Sequence, residues 1–135
     1  MEPVDILSFW FGELEPRARF RRSDAVDSAI RERFLATHRA AAAGELWHWR
    51  RTPAGRCAEI IVLDQFSRNL FRDSPRAFAQ DGMALALAQE AVAVGDDLRM
   101  DQDQRYFTYM PYMHSESLVV HEEALRLFTA LGNAT

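Results

Sequence analysis

The 135-residue sequence has no lysine, a single cysteine, six glycines and five prolines. Without lysine, a Schiff base or a lysine nucleophile is excluded. The lone Cys57 cannot close an internal disulfide and leaves a cysteine-based zinc site without partners. A reducing, cytoplasmic setting is therefore the expectation. So few glycines and prolines argue against a many-turned β-sandwich and against disorder. No apolar run approaches the roughly 18 residues that a membrane span needs. The acidic start Met-Glu-Pro-Val-Asp, ahead of the apolar residues 6–11, lacks the basic region and small-residue cleavage site of a signal peptide. Sixteen arginines against twenty acidic residues give a formal charge of −4, so nothing draws the chain as a whole to nucleic acid or to an anionic membrane.

What is present is material for helices. Hydrophobic residues make up 48% of the chain and alanine occurs twenty times, which suits one all-α domain over residues 1–135. Asp5 leads into Ile6, Leu7, Phe9, Trp10 and Phe11, a short helix apolar nearly all round that ends near Gly12. Ser23 or Asp24 caps a second helix carrying Val26, Ile30, Phe34 and Leu35, stopped by Gly44. Thr52-Pro53 opens a third running to about Arg72, and Ser74-Pro75 a fourth closed by Gly95, since Pro fits a first helical position. Asp101 or Asp103 starts a fifth that Pro111 bends or ends. Ser115 or Ser117 caps a sixth, with Gly132 as its stop. Six helices with short connections pack as antiparallel hairpins, although no tetratricopeptide repeat can be aligned.

Chemistry is concentrated in two segments. Helix three is apolar widely enough to be central, yet Asp64, Arg68 and Arg72 recur at i, i+4 and i+8, beside Gln65 and Asn69. One reading is an internal network; the other is an anion-binding floor, because planar guanidinium forks suit carboxylate or phosphate. The second segment, YMPYMHSES at 109–117, places Tyr109 near His114 and Glu116 at a helix junction. There His114 is a candidate acid or base and Glu116 its orienting carboxylate. A metal held by His114, Glu116 and His121 matches no closed zinc spacing, and Ser115 sits in no nucleophile elbow, so neither metal nor cofactor is implied. Trp47, His48 and Trp49 form a third cluster beside Arg50, Arg51 and Arg56, read most simply as core tryptophan against a solvated basic edge. Arg17, Arg19, Arg21 and Arg22 read as a solvated loop, and His38 has no evident partner.

The stretches DILSFWFG at 5–12, GELWHW at 44–49, IIVLDQFSRNLFRDSPRAFAQD at 60–81 and RYFTYMPYMHSES at 105–117 together resemble the bacterial domain of unknown function family 924. The resemblance implies an all-α, tetratricopeptide-like stack of helical hairpins and no established reaction. Members of that family continue past the position of Gly132 into a segment with a Phe-Gly-Arg-Phe-Pro-His-Arg-Asn motif, which is absent before Thr135. On that comparison the expectation is a C-terminally shortened chain with an incomplete site, and an uncovered apolar face that would favour a homo-oligomer. The leading functional expectation is a binding module for a small anionic ligand or a peptide, with Asp64, Arg68, Asn69, Arg72 and Tyr109 contacting it. The alternatives are a small-molecule hydrolase or transferase using His114 and Glu116 with an arginine clamp, and a structural scaffold.

Overall fold

Hydroxyl and carboxylate side chains open most of the helices, and glycines in the left-handed region mark two of the stops. A computed structural model describes residues 1–132. Helix α1 (Pro3–Leu7) runs on into a π-helical stretch at Ser8–Glu13. After a 3-10 turn at Pro16–Phe20, the Ser23 hydroxyl accepts from the Val26 amide and opens α2 (Asp24–Ala42). Gly44 follows at φ 76°, a conformation that costs glycine little. Thr52 accepts from the Gly55 amide to open α3 (Pro53–Ile61), which passes through π-helical Val62–Phe66 into α4 (Ser67–Leu70) as one rod. Then come α5 (Asp81–Ala93), α6 (Gln102–His114), capped by Asp101, and α7 (Leu118–Gly132). With α3 and α4 counted as one rod, the chain is all-α with six helices, and no strand occurs among the described residues.

The α3–α4 rod lies at the centre, as its all-round apolar surface predicts. Ile60, Ile61, Val62, Leu63 and Phe66 are wholly buried. Around it Phe66 stacks on Phe34 and meets Phe9 and Trp10 edge to face, joining α2 and the N-terminal helix to the rod. On the other side α3 packs on α6, which lies between α5 and α7. Cys57 is fully enclosed, and burial pushes its thiol up to about 12, so it is an inert core residue. No described helix is long and apolar enough to cross a membrane.

Several expectations are corrected. Ser74-Pro75 begins only a 3-10 turn, Pro75–Phe78, and the α-helix starts at Asp81. That turn lays Phe78 against the Arg68 guanidinium and brings Asp81 to it, a tertiary contact that local capping cannot foresee. Pro111 does not end its helix, which continues to His114; it is buried inside the span. Gly132 closes the described part of α7, so a stop there falls outside the described residues. The expected solvated loop is partly anchored, because Arg19 donates to the carbonyls of Trp10 and Phe11. Arg50 is no free basic edge: it grips Glu59, a carboxylate with no exposed surface, through two bonds of 2.8 and 2.9 Å. Arg56 likewise pairs with Asp96. Trp49 is core, whereas Trp47 is 61% exposed.

Candidate functional site

A cleft of about 690 Å³ opens where the end of α6 faces the rod and the start of α5. Arg68 comes from the rod, Phe78 from the 3-10 turn, and Asp81, Gly82 and Leu85 from α5; Pro111, His114, Ser115 and Glu116 complete the wall. The sequence places His114 as the last residue of α6, and Ser115 turns extended, so the imidazole stands at a helix end. Asp64 lies beneath it, fully buried on the π-helical segment of the rod.

His114 Nδ1 is 2.7 Å from Asp64 Oδ1. An ionised carboxylate only accepts, so in the neutral imidazole Nδ1 carries the hydrogen and Nε2 keeps its lone pair. The other Asp64 oxygen accepts from the Gln65 amide at 2.9 Å. Arg68 Nη1 donates to the Asp64 carbonyl at 2.8 Å and reaches its carboxylate at 3.2 Å. The same guanidinium forks onto Asp81 at 3.0 and 3.1 Å. Its charge is thus shared between two carboxylates. With Glu116 also on the wall, three carboxylates surround one arginine at this site. Such a balance disfavours a bound anion and favours a ligand that donates hydrogen bonds.

The structure brings Asp64, Arg68, His114 and Glu116 to one place and sends the other candidates elsewhere. Arg72 and Asn69 both turn to Asp27 on α2: Arg72 donates at 2.7 and 2.9 Å, and Asn69 at 2.9 Å. Arg68 and Arg72 therefore form no common clamp, since each guanidinium is committed to a different carboxylate. Burial raises the Asp27 carboxyl, but the bonds from Arg72 and Asn69 outweigh it and hold it below the usual range. Tyr109 is wholly enclosed and donates to Asp97 at 2.6 Å. The carboxylate that orients His114 is Asp64, and no hydrogen bond joins Glu116 to the imidazole. Glu116 lines the same cleft as His114, but the imidazole's hydrogen-bond partner comes from the rod, 50 residues away in the chain, so adjacency in sequence misled here. The Ser115 hydroxyl accepts from the Ser117 amide at 3.1 Å and serves the turn. Asp81 escaped the sequence reading, although i+13 from Arg68 carries no periodic signal that could have revealed it. Among the described residues no three His, Cys, Asp or Glu side chains gather as a metal site.

A second, apolar groove of about 470 Å³ lies between the Pro16–Phe20 turn and helices α6 and α7, walled by Phe20, Tyr106, Phe107, Phe128 and Leu131. It is remote in composition from the charged cleft.

No curated protein matches the chain. A solved structure of a protein of unknown function from Agrobacterium tumefaciens is similar, with 34% sequence identity and a TM-score of 0.91 over 96% of this chain and 73% of that one. The family model described as a bacterial protein of unknown function, DUF924, matches residues 6–135. The chain belongs to this family.

Proposed function

We propose that the cleft is a small-molecule site in which His114 exchanges a proton with the bound substrate. The observation that carries this reading is the 2.7 Å bond from His114 Nδ1 to the enclosed Asp64 carboxylate. It pins the tautomer and ring, and leaves Nε2 as a base for a hydroxyl, an amine or water. As Nε2 takes that proton, Asp64 stabilises the imidazolium; the proton then returns to the leaving group. The cleft volume falls within the roughly 300–1,000 Å³ usual for small ligands. Phe78, Leu85 and Pro111 supply an apolar wall, and Asp81 and Glu116 supply acceptors. A hydrolase or transferase acting on a neutral or cationic substrate fits this lining better than capture of an anion. Ser115 lines the wall from the turn after α6 and sits in no nucleophile elbow, so direct attack by water or by a second substrate fits best.

The test is a panel of small amines, amides, esters and carboxylates, screened by ligand-induced thermal shift and then by turnover. Wild-type protein is expected to be stabilised by donor-bearing compounds. His114→Gln should keep the shift and the helical circular dichroism while losing about 10²–10⁴-fold in kcat. Stabilisation by carboxylates alone, or unchanged turnover in His114→Gln, defeats the proposal.

A further inference from the structure

A different face of the molecule has the opposite electrostatic character. Between the end of α2 and the 3-10 turn before α5 lies a pocket of about 360 Å³ walled by His38, Arg39, Phe71, Arg76 and Gln80. Eight of the sixteen arginines pair with carboxylates, and neither the Arg39 nor the Arg76 side chain forms an ion pair or a hydrogen bond among the described residues. The Arg76 guanidinium lies instead over the Phe71 ring, its central carbon 4.0 Å from the centroid, with its N–H groups making no hydrogen bond to a described residue. Arg39 approaches from α2. The negative end of that helix is muted, because the carbonyls of Arg39, Ala40 and Ala41 accept from the amides of Ala43, Glu45 and Gly44.

His38 is the second, independent feature. Only 4% of it is exposed, and its Nε2 is 2.7 Å from the Ser67 hydroxyl. Ser67 spends its own hydrogen on the Leu63 carbonyl, at 2.6 Å, so it accepts from His38 and the ring carries its hydrogen on Nε2. Nδ1 is left as a bare acceptor with no partner among the described residues. Burial, followed by the Arg76 charge, holds His38 below the ordinary histidine value and keeps it neutral. Two unneutralised guanidinium groups beside the open acceptor of a largely enclosed ring select an oxyanion that also owns a hydrogen.

We propose that this pocket binds orthophosphate, which keeps a P–OH at neutral pH, with Arg39 and Arg76 on its oxygens and His38 Nδ1 accepting from that P–OH. Sulfate has the same shape but no hydrogen to donate at neutral pH, so the site discriminates against it. A monoester, with its second pKa at about 6, has mostly lost this hydrogen at pH 7.

Titration of the full chain with sodium phosphate, phenyl phosphate and sodium sulfate at constant ionic strength and pH 7, followed by nitrogen-edited NMR, tests this. Phosphate should move the Arg39 and Arg76 Nε–H signals and the His38 ring in one saturable phase, with sulfate at least about fivefold weaker. Phenyl phosphate, mostly without a P–OH at pH 7, should bind more weakly than orthophosphate, and a tighter phenyl phosphate overturns the contact to His38. Arg76→Gln, on an exposed side chain, should weaken binding about tenfold, whereas Arg51→Gln should not. Equal affinity for phosphate and sulfate overturns the proposal. So do unsaturated shifts spread over all exposed arginines, or equal effects of the two substitutions.

Discussion

Asp64 and His114 are separated by 50 residues of chain and by 2.7 Å in space. The bond ties the central rod to the end of α6 and serves structure and the proposed chemistry together. Removing either partner has unequal costs. Asp64→Ala strands both the histidine and part of the Arg68 charge in an enclosed place, and is expected to destabilise by about 3 kcal/mol. His114→Ala leaves Asp64 still paired with Arg68 and Gln65 and should cost about 1 kcal/mol. Urea unfolding of the two variants checks this, and equal losses would show that the pair has no such asymmetry.

A second knot, Asp27 with Arg72 and Asn69, joins α2 to the rod's end. The folded-state value of Asp27 lies below the ordinary 3.8, so its contribution is present above that pH and is lost as pH falls through the lower folded value. Asp27→Asn should therefore unfold with a shallower acid limb than the wild type. At neutral pH the cycle of Asp27→Asn with Arg72→Gln should give a coupling of about 1–2 kcal/mol.

His38 shifts the same way for a different reason. Its folded-state value is held below the ordinary 6.5 by burial and then by Arg76, so the unfolded chain binds a proton more readily. Stability from this group is complete above pH 6.5 and declines as pH drops toward the folded value. In thermal melts between pH 7.5 and 5, His38→Gln should flatten that decline. A parallel slope in both proteins would assign it to other groups.

Gly55 stands against the backbone of Trp49. A Cβ there would lie 1.8 Å from the Trp49 carbonyl oxygen and 2.8 Å from its carbon. Backbone atoms cannot swing aside as a side chain does, so Gly55→Ala should cost upward of about 3 kcal/mol. Gly82→Ala, with open space around the added atom, is the control and should change the melting temperature little.

Which parts of this were legible in the chain follows from the range of the forces involved. Thr52, Ser23 and Asp101 cap where they stand because a cap acts across three residues. The burial of the rod followed from its all-round apolar surface, and the Asp64–Arg68 pair from i, i+4 spacing on one helix. Ser74-Pro75 carries the same local signature as Thr52-Pro53, yet one opens a helix and the other a single 3-10 turn. The difference arises from Phe78 and Asp81 meeting Arg68, which no local pattern encodes.

By itself the sequence determined an all-α chain, its helix count, its central helix, and the two segments that hold the ionisable groups. Tertiary structure alone decided which of those groups meet. Asp64 rather than Glu116 orients His114, Arg72 is drawn to Asp27 rather than to Arg68's cleft, and His38 finds Ser67. The physical reason is that helical periodicity specifies which face a residue occupies, whereas a charge buried among packed helices is stable only beside whichever counter-charge the packing brings within about 3 Å.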